Sequence, residues 1–170
     1  MEKANYCFVN ERVVWGFDAN TGYGFLSNFA PCPKRVVYDR LVYPTSEHAF
    51  QAAKFDDEDL RIEFTCEELT TGKAKGLGRK YPMRSDWDKI KDDVMACVVL
   101  SKFQRDAEMA DKLLATGNRT LVEANHWNDT YWGVDKDLRQ GQNKLGKTLM
   151  GVRYLLKMQR HPRIIYNEPN

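Results

Sequence analysis

Three side chains able to do acid–base and anion chemistry recur at helical spacing within Pro44–Phe55, PTSEHAFQAAKF: Glu47, Gln51 and Lys54. At about 3.6 residues per turn, positions i, i+4 and i+7 fall within one arc, and Phe50 lies on the same side. A carboxylate, an amide and an ammonium thus share an aromatic neighbour. Such a carboxylate can hold or move a proton, or stabilise a developing positive charge. Thr45 is the expected N-cap, its hydroxyl accepting from an orphan amide of the first turn. Glu47 follows in that turn, where the helix dipole favours negative charge, so an ionised Glu47 is expected. Lys54 lies two turns on, roughly 10 Å along the axis, too far for a simple ion pair but suited to an anion at the far end of one ligand. The plainer account is a carboxylate complementing a helix end and a solvated terminal lysine.

What must position these groups is legible around them. Ala49, Ala52 and Ala53 on the opposite side let the helix approach a neighbour closely. Arg35–Tyr43 predicts a hairpin with Asp39 and Arg40 at its turn, feeding directly into the helix. Upstream, Tyr6, Phe8 and Arg12–Phe17 carry strand-forming residues. After turn chemistry at Asn20–Gly24, FLSNFAPCP (Phe25–Pro33) reads as a loop with Ser27 and Asn28 between Leu26 and Phe29. Asn28 there either meets a ligand or closes an Asx turn.

Downstream, Asp56–Asp59 predict the cap of a helix running to Phe64, and Thr65 with Glu68 has capping-box spacing for another. Gly72–Lys80, TGKAKGLGRK with its leading threonine, lacks the spacing and preceding strand of a phosphate loop, although Lys73, Lys75, Arg79 and Lys80 could meet an anionic ligand. Ser85 is the expected cap of a long amphipathic helix carrying Trp87, Ile90, Val94, Cys97 or Val98, and Ser101 at helical spacing. Trp87, in its first turn, is placed either for core or for the edge of a pocket. A helix over Asp106–Ala115 ending at Gly117, a strand over Thr120–Ala124, and a last helix from Asn143 to about Gln159 with Leu145, Leu149, Val152 and Leu156 inward complete the chain.

Between strand and last helix, Ala124–Gly146 interleaves Trp127, Tyr131 and Trp132 with Asn125, Asn128 and Asp129, followed by Gly133 and Gly141. That surface must be buried against the domain or a ligand, and base stacking on such rings is worth about 1 to 3 kcal/mol, which points to a nucleotide-like ligand. Composition narrows the field: 170 residues, 42% hydrophobic and 29% charged, describe one soluble domain, expected over residues 1–160 with a tail at 161–170. A net charge of +2 argues against a general nucleic-acid binder, despite Arg153, Lys157, Arg160, His161 and Arg163 near the end. Without a membrane-length apolar run or a leader pattern, a cytoplasmic location is expected. Cys7, Cys32, Cys66 and Cys97 form no CxxC pair and His48, His126 and His161 no HExxH, so reduced thiols and no metal are expected.

PTSEHAFQAAKF, FLSNFAP, GLGR with Trp87 downstream, and NDTYWGV followed by GQNKLGKTLMGVR resemble, in order and over nearly the whole chain, the NADAR superfamily, including its YbiA-like N-glycosidases. The resemblance implies a compact, mostly helical α+β domain with a small antiparallel sheet, needing no cofactor. It also implies hydrolysis of the N-glycosidic bond of a ribosyl nucleotide. The substrate classes are a phosphoribosylamino intermediate of riboflavin synthesis and an ADP-ribosylated nucleobase, free or within nucleic acid. Glu47 and Asp129 would then be catalytic, with Asn28, Phe29, Lys54, Arg79, Trp87, Trp132 and Gly133 binding substrate. One departure is Val134–Arg139, VDKDLR, bulkier and more charged than the glycine-rich loop common in relatives, which bears on the substrate. A non-catalytic ADP-ribose reader, or a nucleic-acid-binding protein, are the other classes.

Overall fold

The computed structural model describes residues 7–160. The expectations for Tyr6 and for the tail at 161–170 lie outside them. Among the described residues six α-helices and seven short strands make an α+β arrangement, four strands followed by five helices, three strands and a last helix. Strands β1 (Phe8–Val9) and β2 (Val13–Trp15) pair antiparallel, and β2 pairs in parallel with β5 (Thr120–Val122), Val13 opposite Thr120. Strands β3 (Pro31–Tyr38) and β4 (Leu41–Thr45) form the predicted hairpin, Asp39 and Arg40 both adopting positive φ at its two-residue turn. Strands β6 (Ala124–Asn125) and β7 (Val134–Asp135) make a small parallel bridge. The predicted strand over Thr120–Ala124 is therefore split at Glu123.

Helix α1 (Ser46–Ala52) leaves the end of β4 with Thr45 as its cap, Oγ1 accepting from the His48 amide at 3.3 Å. It ends before Lys54, which lies in the turn beyond rather than on the helix itself. Every residue of α1 is buried, and the alanines explain how: Ala49 and Ala52 are fully enclosed. His48 fastens it further, its two ring nitrogens lying 2.8 Å from Thr45 Oγ1 and 2.6 Å from Leu69 O; burial pushes its pKa down.

Helix α2 (Glu58–Glu63) is capped by Asp57 as the acidic run predicts. The capping-box pair Thr65 and Glu68 begins no helix. Thr65 Oγ1 donates to Ile62 O at the end of α2, and Thr70 caps the next helix, α3 (Thr71–Leu77). Helix α4 (Trp87–Gln104) has Asp86, not Ser85, at its cap position, and that carboxylate is held by Arg84 Nε at 2.6 Å instead of by the helix amides. Val94, Met95, Val98, Val99 and Phe103 form the buried stripe of α4, while Cys97 is exposed. Helices α5 (Ala107–Ala115) and α6 (Lys144–Arg160) pack against it. Arg153 is committed to this packing, Nη1 donating to Thr116 Oγ1 at 2.7 Å and Arg119 O at 2.9 Å, and Arg160 pairs with Asp111, so the basic C-terminal run is partly structural. Among the described residues no helix is long and apolar enough to cross a membrane, and no cluster of three His, Cys, Asp or Glu side chains could hold a metal ion.

Candidate active site

The buried face of α1 opens onto a cavity of about 890 Å³, towards the upper end of the roughly 300 to 1,000 Å³ of small-molecule sites. Four remote segments wall it: the 17–29 loop, α1 with α3, the first turns of α4, and the Glu123–Trp132 stretch ahead of α6. Asn28, Phe29, Glu47 and Lys54 all line it, as do Arg79, Trp87, Asp129 and Trp132. Gly133 is not among the lining residues. A Cβ there would lie 2.3 Å from Glu123 O and 2.6 Å from Asn125 Nδ2, so its missing side chain makes room for two residues that do line the cavity.

Glu47 is deeply buried, its backbone amide bonded to Asn28 O at 3.0 Å and its Oε1 accepting from Gln51 Nε2 at 2.8 Å. Burial outweighs the helix terminus, and the pKa rises rather than falls. The Gln51 hydrogen bond and the charges of Lys75, Lys54 and Arg79 pull the other way, in that order. Glu47 thus lies between a dry wall that disfavours its charge and a cationic rim that favours it. Lys54 is itself pushed down by burial, and Nζ reaches only Gly78 O, at 3.4 Å; among the described residues it makes no ion pair with Glu47.

The aromatic wall is continuous. The Phe50 ring packs 5.1 Å from Trp87 and 5.2 Å, edge-on, from Trp132, which meets Tyr131 at 5.0 Å. Trp87 is buried and Trp132 half-buried, so Trp132 keeps a face for stacking while Trp87 backs Phe50. At the rim Lys75 Nζ sits 5.4 Å from the centroid of exposed Phe29 and 5.8 Å from that of Trp127. Asp129 lines the cavity, but its Oδ1 accepts from the amides of Tyr131 (3.1 Å) and Trp132 (2.9 Å), fixing the turn that presents Trp132. Asn28 Nδ2 points to Met95 Sδ at 3.2 Å while its buried Oδ1 has no protein partner, leaving an acceptor for a ligand.

Two of the lining groups stood out less clearly in the sequence. Lys75 was one of four equivalent cations until α3 set Lys73 and Lys80 outside the cavity lining and Lys75 inside. Glu123 gave one signal, an acid amid the apolar residues of TLVEA, where alternation alone suggests a solvated edge.

Gly78 shows how the carboxylate is held, because a Cβ there would stand 2.0 Å from Gln51 Oε1 and 2.8 Å from its Cδ. Gly78→Ala is expected to displace the Gln51 amide and release Glu47. A hydrogen bond to a charged group is worth about 1.5 to 3 kcal/mol, so the Glu47 titration should move further up, read from its carboxyl carbon by NMR. An unmoved titration in folded variant would show that Gln51 does not set the protonation of Glu47.

The site thus joins a buried carboxylate, a cationic rim and an aromatic wall around one cleft of an α+β domain, and comparison with known proteins gives the family. The NADAR domain model matches residues 15–157, and the chain belongs to the NADAR family. It is similar to N-glycosidase YbiA of Escherichia coli, 37% identical over 153 residues covering 89% of this chain and 93% of that one. An N-glycosidase of Nostoc punctiforme is 38% identical over 135 residues, 77% of this chain and 84% of its own. A riboflavin biosynthesis protein of Vibrio vulnificus is 37% identical over 147 residues, 85% of this chain but only 39% of that longer protein. The NMR structure of Escherichia coli YbiA superposes with a TM-score of 0.78 at 32% identity, covering 97% of this chain and 96% of that one.

Proposed function

We propose that the protein is an N-glycosidase that hydrolyses the bond between C1′ of a ribosyl nucleotide and a base or amine nitrogen. The observation carrying this reading is Glu47, a buried carboxylate held by Gln51 against a stacking wall and facing three cations across one cavity. Cleavage builds positive charge on C1′ and the ring oxygen, so a fixed carboxylate binds the transition state more tightly than the substrate and can take a proton from the attacking water. Lys54, Lys75 and Arg79 suit the phosphate, which in turn compensates charges that disfavour one another when the cavity is empty. Trp132 suits the base, Asn28 Oδ1 a ribose hydroxyl. Asp129 orders the Trp132 turn and adds negative charge near C1′ rather than supplying a free acid.

The relatives named for riboflavin biosynthesis favour a phosphoribosylamino pyrimidine as substrate, and the cavity volume also admits an ADP-ribosylated nucleobase. Purified protein offered both, with release of free amine or base followed by chromatography, is expected to hydrolyse the phosphoribosylamine. Turnover of the ADP-ribosyl adduct alone would reassign the substrate. Tight binding of either without hydrolysis would make the protein a non-catalytic reader.

A further inference from the structure

Glu123 occupies the gap between β5 and β6, where its backbone is pinned on both sides. Its amide donates to Asn143 Oδ1 at 3.0 Å and its carbonyl accepts from Val134 N at 2.8 Å, with Gly133 leaving room for that carbonyl. The side chain lines the same cavity as Glu47, and Oε2 is buried with no hydrogen-bond partner. A buried carboxylate oxygen left unpaired is costly when charged, and a protonated carboxyl aimed at a ligand removes that cost. Resting on the N-glycosidase reading, we propose that Glu123 is the general acid of the reaction, giving its proton to the nitrogen that leaves C1′ while Glu47 takes a proton from the attacking water.

Burial raises the pKa of both acids, and what differs is the hydrogen bonds and charges around them. Glu47 has the Gln51 amide and the cations Lys75, Lys54 and Arg79 favouring its charged form. Glu123 faces Asp129 and Glu47, which oppose its charge, against Lys136 and Lys75, which favour it, and lies near enough to Lys102 of α4 to favour that ammonium. Burial leads, and the balance lifts its pKa to about 7. The groups beside Glu47 favour its carboxylate, whereas Asp129 and Glu47 favour the neutral acid at Glu123, a contrast that suits one base and one acid. The atoms balance: water oxygen bonds to C1′ as the C1′–N bond breaks and its electron pair stays on nitrogen. One water proton goes to Glu47, the Glu123 proton goes to nitrogen, and return of a proton from Glu47 to Glu123 through solvent resets the pair.

The test is Glu123→Gln assayed on a series of phosphoribosylated aromatic amines whose leaving amines fall in basicity, with folding checked by thermal melting. The variant is expected to lose about 10² to 10³ in kcat on the most basic leaving group, and to approach wild type on the least basic, which departs without protonation. The alkaline limb of the wild-type kcat profile, where Glu123 gives up its proton above about pH 7, should vanish in the variant and persist in Glu123→Asp. A loss under about threefold, or an equal loss across the series with the limb retained, would overturn the assignment. If Glu123→Gln does not fold, NMR titration of the wild-type Glu123 carboxyl decides: a midpoint at an ordinary carboxylate value of about 4.3 overturns the acid and one near 7 upholds it. Wild-type protein inactive on the whole series would defeat the N-glycosidase reading and the acid with it, whereas an active wild type with an undiminished variant defeats only the acid.

Discussion

Glu47→Gln is expected to keep the fold and ligand affinity and to lower turnover by about 10² to 10⁴. The amide fills the same volume and its oxygen can still accept from Gln51 Nε2, so the α1 face is unchanged. What it lacks is the negative charge that the transition state needs and the ground state does not. Stability should move the other way. Glu47 has its pKa raised on folding, so the stability linked to its protonation is present at low pH and lost as pH rises through the folded value. Above the folded pKa the buried charge opposes folding and the neutral amide removes that cost, so in that range the variant should melt no lower than wild type. Turnover within threefold of wild type would remove Glu47 from the chemistry.

Lys102→Met is expected to stabilise the protein at neutral pH while weakening the site. Lys102 is fully buried on α4, Nζ donating to Ser27 O at 2.9 Å, and burial drives its pKa down to about 8. The sign follows from a depressed cation: between about 8 and 10.5 the unfolded chain binds more protons than the folded one, so stability rises with pH across that window. Below it, keeping the ammonium inside the protein costs on the order of 3 kcal/mol, from about 1.4 kcal/mol per tenfold displacement of protonation. Methionine removes that cost and forfeits the hydrogen bond, about 1 to 2 kcal/mol, for a net gain of about 1 to 2 kcal/mol at pH 7 that shrinks towards pH 10. Since Ser27 adjoins Asn28, whose carbonyl anchors the Glu47 amide, ligand affinity should fall as the loop loosens. Denaturant melts of both proteins at pH 7 and pH 10 check the first part, and an equal stability difference at the two values would show that Lys102 does not carry this pH dependence.

Local chemistry was readable wherever one segment settles its own structure. The hairpin turn at Asp39 and Arg40, the Thr45 and Asp57 caps, and the inward stripe Leu145, Leu149, Val152 and Leu156 of α6 all follow from spacing and side-chain type. Capping failed where tertiary partners compete for the cap: Asp86 is drawn away by Arg84, and Thr65 turns back to the end of α2. The parallel β2–β5 and β6–β7 pairings were beyond reach, because a strand of two or three residues carries no mark of its partner or direction. The site shows the same division. Glu47, Lys54, Trp87, Asp129 and Trp132 are flagged by local motif, whereas Glu123 and Lys75 become lining residues only once distant segments meet. The upward direction of the Glu47 pKa shift was hidden for a related reason. The helix terminus is visible in the sequence, but the wall that dries the carboxylate comes from elsewhere in the chain.

The β2–β5 register also dictates when the cavity comes into being during synthesis. Val13 waits for Thr120, and closing so long a stretch is slow compared with forming the hairpin or α4. A nascent chain emerging at about 5 to 20 residues per second can complete the β3–β4 hairpin, α1 and α4 while Glu123 and Trp132 are still unmade. Until then the apolar face of α1 and the buried Glu47 have no opposite wall. The half-built domain thus lacks one wall of the cavity, and the site is complete only once the Glu123–Trp132 stretch and Leu145 of α6 have docked.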